Sequence, residues 1–264
     1  LGHPAEQKID YEFAAPAPLV VNADGCSPVV LVCEHASRFV PAELHGLGLD
    51  DGTLEGHWAW DPGALAVAEA MSRQMDAVLV AAQISRMVYD CNRPPTAPDA
   101  IVETGEGFAI PGNAGLGSAE RDFRVAHVYE PFHETLADVI NASESAPVIV
   151  TVHSFTRYYH GQERRMELGI LHDDDARLAD QLLQEAMWHS HHDVQRNEPY
   201  GPQDGVTHTL KKHALPIGAY NVMLEIRSDL ITSQETQHAM GVILADMINS
   251  TLRQFDVLLP EGES

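Results

Sequence analysis

Apolar positions along the chain alternate between two patterns: short unbroken runs, and longer stretches in which apolar residues recur at helical spacing. The clearest run is 29–33 (VVLVC), the length expected of a strand buried on both faces. It breaks into Glu34, His35, Ala36, Ser37 and Arg38. Runs at 148–152 and 222–224 repeat the design, delivering His153 and Ser154, and Glu225, Ile226 and Arg227. Weaker strand signals lie at 18–21, 77–80, 84–89 and 168–171. Helical spacing marks the segment after Pro62 (Leu65, Ala68, Met71, Met75), where Asp61 reads as N-cap and Pro62 as first helical residue. It also marks 119–140, where Pro131 predicts a kink, the segment after three aspartates (Leu178, Leu182, Leu183, Ala186), and a last helix opened by a capping box at 232–235. Residues 41–56 and 94–117 read as long loops, the second as a lid.

Strands separated by helical stretches predict one α/β domain with helices on both faces of the sheet. We place it at residues 25–264, with 1–24 as an N-terminal arm. In open α/β sheets ligands bind beyond the carboxyl ends of the strands, so three strands ending in polar groups point to one shared site. Two imidazoles, His35 and His153, with a carboxylate and an open fourth position suit a zinc hydrolase. Asp61 is the carboxylate favoured here, with His57 and Glu34 as competitors. Glu225 ends an apolar strand, where an unpaired carboxylate is costly. It reads either as an ion-pair partner or as a general base, and alternation puts Arg227 on its face. Ser85-Arg86 and Asn92-Arg93 bracket the 84–89 piece, and arginines at strand ends suit the grip of a carboxylate substrate.

Bulk properties narrow the partners. A net charge of −23 argues against nucleic acid and acidic membranes as partners, and the strand-end arginines make a small-molecule carboxylate the expected one. The three cysteines are odd in number and widely spaced, which favours a reducing, cytoplasmic setting over a disulfide framework. The sequence shows no basic stretch followed by an apolar core and no run near 18 apolar residues, so neither a signal peptide nor a membrane span is expected. Oligomeric state is not legible.

Taken in order, several motifs resemble the N-formylglutamate amidohydrolase family. They are Cys33-Glu34-His35-Ala36-Ser37, His57-Trp58-Ala59-Trp60-Asp61-Pro62-Gly63-Ala64, Ser85-Arg86 with Asp90-Cys91-Asn92-Arg93-Pro94, His153-Ser154-Phe155, Asn197-Glu198-Pro199-Tyr200, and Glu225-Ile226-Arg227-Ser228-Asp229-Leu230. The resemblance covers about residues 29–231. It implies a three-layer α/β/α, phosphorylase/hydrolase-like fold with a central mixed sheet related to zinc carboxypeptidases. It also implies one Zn²⁺ per chain and cleavage of N-formyl-L-glutamate to formate and glutamate, a late step of histidine breakdown. The order His, acidic residue, His, late Glu is similar to zinc amidases of peptidoglycan. By that pattern His35, Asp61 and His153 fall on metal positions and Glu225 on the catalytic one, with Arg86, Asn92, Arg93 and Arg227 left to hold substrate. The family often shows Pro-His-Ser-Gly where this chain has Glu34-His35-Ala36-Ser37. That departure implies a divergent branch acting on N-formylglutamate or a related N-acyl amino acid. Two rival expectations are a peptidoglycan or peptide amidase and a non-catalytic metal- or ligand-binding domain.

Overall fold

The buried runs become adjacent strands of one sheet. The structure is a computed structural model that describes residues 12–105, 107–143, 146–255 and 257. Its strands are β1 (Leu19–Val21), β2 (Val29–Cys33), β3 (Val78–Ala81), the hairpin β4 (Thr104–Gly105) and β5 (Phe108–Ala109), β6 (Val148–Phe155), the hairpin β7 (Tyr158–Tyr159) and β8 (Gln162–Glu163), β9 (Leu168–Leu171), β10 (Val194–Arg196) and β11 (Tyr220–Arg227). Seven form the central sheet in the order β1-β3-β2-β6-β11-β9-β10. Its middle, β3, β2, β6 and β11, is parallel, while β1 pairs with β3 and β9 with β11 antiparallel, so the sheet is mixed. Every residue of β2 and β6 is buried, as unbroken apolar runs require when both faces are covered.

The helices are α1 (Asp51–Glu55), α2 (Ala64–Met75), α3 (Ser118–Arg124), α4 (Glu130–Ala142), α5 (Arg177–His189) and α6 (Gln234–Gln254). Alternate strand residues feed two cores. Val29, Leu31, Val150, Val222 and Leu224 pack with α2, α5 and α6 on one face. Val30, Val32, Val80, Ile149 and Met223 pack on the other with Phe132 and Leu136 of α4 and with loop residues such as Leu44 and Ile110. This gives the expected three layers, but loops make up much of the second outer layer.

Four local expectations change. Residues 84–89 form a turn, not a strand. Their carbonyls are taken by side chains instead of a neighbouring strand: Asn113 donates to Met87 O at 2.8 Å, and the buried Arg124 donates to Val88 O at 2.9 Å. Asp61 does not cap α2, which starts after Gly63 in the left-handed region at φ 84°. A Cβ there would also meet Ile231 O at 2.7 Å, so the entry to α2 needs glycine twice over. The helix predicted over 119–140 runs through α3 and α4 with a π-helical stretch at Val125–Tyr129 just before Pro131, which loosens the ladder where the proline has no N–H to give. The last helix is capped one residue later than the box at 232–235 predicts, with Ser233 as N-cap and Thr236, not Glu235, closing the box. β10 and the short hairpins carried no readable pattern, being two or three residues long.

Candidate active site

The strand ends do converge. β6 runs on past Val152 to Phe155, so His153 lies inside a strand, paired with β11 and in register with Glu225 on it. Adjacent parallel strands in register present these two side chains on one face. His35 follows β2 by two residues, and its carbonyl accepts the Asp61 N–H at 2.9 Å, pinning the turn before α2 against it.

His35, Asp61 and His153 bring one ligand-type atom each to a common point, all within 4.8 Å of one another. Asp61 Oδ2 lies 2.9 Å from His153 Nδ1 and 3.4 Å from His35 Nδ1, and the two Nδ1 atoms are 3.2 Å apart. Each ring turns its other nitrogen to a second carboxylate. His35 Nε2 is 2.8 Å from Asp90 Oδ1, and His153 Nε2 is 3.0 Å from Glu34 Oε2. The outer carboxylates can hold the ring protons on Nε2, which turns both Nδ1 atoms to a cation beside Asp61; without one, the 2.9 Å His153 Nδ1–Asp61 contact needs a proton on Nδ1, and Arg86 Nη1 lies 3.1 Å from His35 Nδ1. Carboxylate, imidazole and imidazole with outer carboxylates is a fitting donor set for a divalent metal.

The electrostatics agree. Burial lowers the basicity of both imidazoles, but for His153 the carboxylates of Glu34 and Asp61 more than reverse this, and for His35 those of Asp90 and Asp61 do. Burial would raise the Asp61 carboxyl, yet Arg86 and His35 hold it well below the usual range. The centre thus favours positive charge at its middle. His57, the competing ligand, is held neutral at a pKa of about 3 by burial and by Arg86. Glu34 faces the outer nitrogen of His153 and not the common point.

Glu225 differs from these carboxylates. Burial pushes its pKa up to about 7, and Asp61 adds to the effect while His153 opposes it. Its Oε2 has no hydrogen-bond partner among the described residues. The neighbouring strand carries Gly169 opposite it, where a Cβ would stand 3.1 Å from Glu225 Cβ and clash with Glu198 O. Glu225 shares a cavity of about 660 Å³ with the three converging residues. Thr104, Gly105 and Gly107 of the β4–β5 hairpin, within the predicted loop, and Tyr159 and His160 of the β7–β8 hairpin also line it.

The expected substrate-holding residues fare unequally. Arg86 lines the cavity, but its Nε donates to Trp58 O at 3.1 Å, its Nη2 to His57 O, and its Nη1 faces Asp61 Oδ1 at 3.2 Å. It braces Asp61. Asn92 also lines the cavity, yet its amide donates to Val206 O and accepts from Thr209 N at 3.0 Å. Arg93 lines the cavity with Nε on Asp99 and Nη1 on Gly205 O. Arg227 corrects its expectation. Its guanidinium lies among Asp229 (2.7 Å), Glu167 (3.3 Å) and the Arg165 carbonyl (2.8 Å), and does not line the cavity. Alternation predicts the face of a strand residue but not where a long side chain ends. Arg227→Met is therefore expected to lower stability by about 1.5–3 kcal/mol, the range for hydrogen bonds to charged groups, with KM unchanged. Thermal melts and steady-state kinetics on one preparation check this. Asp90 and Glu34, as partners of the ring nitrogens, escaped the sequence reading. Their only signal is an acidic residue directly at the end of a short apolar run, after Cys33 and after Tyr89.

The cysteines are free: Cys26 is exposed, and Cys33 and Cys91 are buried. Among the described residues no helix is long and apolar enough to cross a membrane.

Comparison with protein-family models matches residues 27–232 to N-formylglutamate amidohydrolase. Among solved structures, a gene product of Agrobacterium tumefaciens is 46% identical and superposes with a TM-score of 0.89, over 92% of this chain and 98% of that one. An N-formylglutamate amidohydrolase from Ralstonia eutropha JMP134 is 19% identical, with a TM-score of 0.62 over 89% and 98%, and shares the fold. The curated proteins contain no match. With the family model spanning most of the sequence, the chain belongs to the N-formylglutamate amidohydrolase family.

Proposed function

We propose that this member of the family is a zinc-dependent hydrolase that cleaves N-formyl-L-glutamate or a related N-acyl amino acid to the free amino acid and formate or another carboxylate. The observation that carries this reading is the meeting of His35, Asp61 and His153 in one cavity with an unpartnered, buried Glu225. A divalent ion held by those three residues supplies Lewis-acid polarisation of the amide carbonyl and lowers the pKa of a water.

The chain's own residues do the rest. Asp90 and Glu34 fix the ring tautomers, and Arg86 together with the Ser154 N–H (3.2 Å) holds Asp61. Glu225, with a pKa near neutrality, takes a proton from the attacking water as its oxygen adds to the amide carbon. As the C–N bond breaks, Glu225 returns that proton to the leaving nitrogen.

The test is release of carboxylate and amine across a panel of N-formyl and N-acetyl amino acids. Equimolar formate and amino acid from at least one N-formyl compound is the expected result. Absence of release across the whole panel would contradict the reading.

A further inference from the structure

The cavity has an apolar side that the proposed chemistry does not use. Met87, Ile110 and Met223 belong to the second core and reach the cavity, and Trp58, Val102 and Val206 pack against that same core and line it too. This wall is the open continuation of a hydrophobic layer. Trp58 is fixed in it by an edge contact with Phe108 of the β4–β5 hairpin, at 5.8 Å between ring centroids.

The polar side of the cavity offers little for a second carboxylate. All three guanidinium nitrogens of Arg86 have partners, and its charge faces Asp61. The Asn92 amide is held by Val206 and Thr209, and Arg227 lies elsewhere. Arg93 is the lining cation with a nitrogen to spare, since its Nη2 makes no hydrogen bond among the described residues. It sits against Gly205, next to Val206 of the wall. Beside it Asp204 lines the same cavity and adds negative charge.

We propose that the cavity selects N-acyl amino acids bearing a single carboxylate and an apolar side chain, with Arg93 taking the carboxylate and the Trp58–Met223 wall taking the side chain. This inference rests on the amidohydrolase reading for its chemistry, but not for its preference. A dicarboxylate such as N-formyl-L-glutamate puts its second charge against apolar atoms or near Asp204, and among the described residues the lining holds no arginine or lysine besides Arg86 and Arg93 to offset the lost hydration. A thioether of similar length gains from the same surface. The cavity is also far roomier than a formyl amino acid with a small side chain requires.

The discriminating pair is N-formyl-L-methionine and N-formyl-L-glutamate, alike in length and different in charge. Dissociation constants are measured by calorimetry on the Glu225→Gln protein as purified, and kcat/KM on the unaltered protein. The expected result is roughly tenfold or more in favour of N-formyl-L-methionine in both, the scale of burying one apolar side chain. Val206→Lys, which adds a cation to the wall, should shrink or reverse that ratio. Equal or tighter binding of N-formyl-L-glutamate by the Glu225→Gln protein overturns the inference and leaves the hydrolase reading standing. Tighter binding of N-formyl-L-methionine with neither compound hydrolysed supports the preference and sinks the hydrolase reading. Failure of both to bind at millimolar concentration overturns the inference.

Discussion

Replacing Glu225 with Gln should cut turnover by roughly 10²–10⁴, the usual contribution of a positioned acid–base group. The amide keeps the shape of the side chain but cannot accept a proton from water at neutral pH. Metal content and melting temperature should change little, because Glu225 is not one of the three converging ligands and has no ion-pair partner among the described residues that would be left unpaired. The alternative from sequence, a structural ion pair with Arg227 or another arginine, predicts instead a loss of stability of up to several kcal/mol if the pair is buried. The structure argues against it, since Arg227 is satisfied by Asp229, Glu167 and the Arg165 carbonyl. An active Glu225→Gln protein with full metal content would end the proton-transfer role.

His153→Ala should abolish metal retention while the chain stays folded. Its ring supplies one of three ligand atoms, and losing one leaves a carboxylate and a single imidazole, a far poorer site. The variant also leaves Glu34, fully buried, without the imidazole 3.0 Å away, so some stability is lost as well. Metal analysis on the folded fraction separates the two effects. Asp61→Asn tests the remaining ligand in the same way. Since Asp61 does not cap α2, any loss of metal there cannot be assigned to a failed helix start. Full metal content in both His35→Ala and His153→Ala would remove the assignment.

The sheet and the converging residues were legible because burial on both faces writes an unbroken apolar run, and a run ends where polar chemistry begins. Val29–Cys33 and Val148–Phe155 show this, although His153 proved to lie within its strand, not after it. What could not be read depends on contacts far apart in sequence. The 84–89 stretch is as apolar as a strand, but Asn113 and Arg124 take its carbonyls and make it a turn. The roles of Asp90 and Glu34 need the imidazole rings in place before either carboxylate has a meaning. Arg86 and Arg227 carry the same charge, and only packing decides that one braces Asp61 while the other ties β11 to the loop before β9.

The central claim is that a cation held by His35, Asp61 and His153 makes the chain an amide hydrolase. The most direct measurement is hydrolysis of an N-formyl amino acid by the protein as purified, after exhaustive chelation, and after titration with Zn²⁺. The account predicts that chelation removes formate release and that about one equivalent of Zn²⁺ per chain restores it, as one three-ligand site requires. Undiminished formate release from metal-free protein would contradict it.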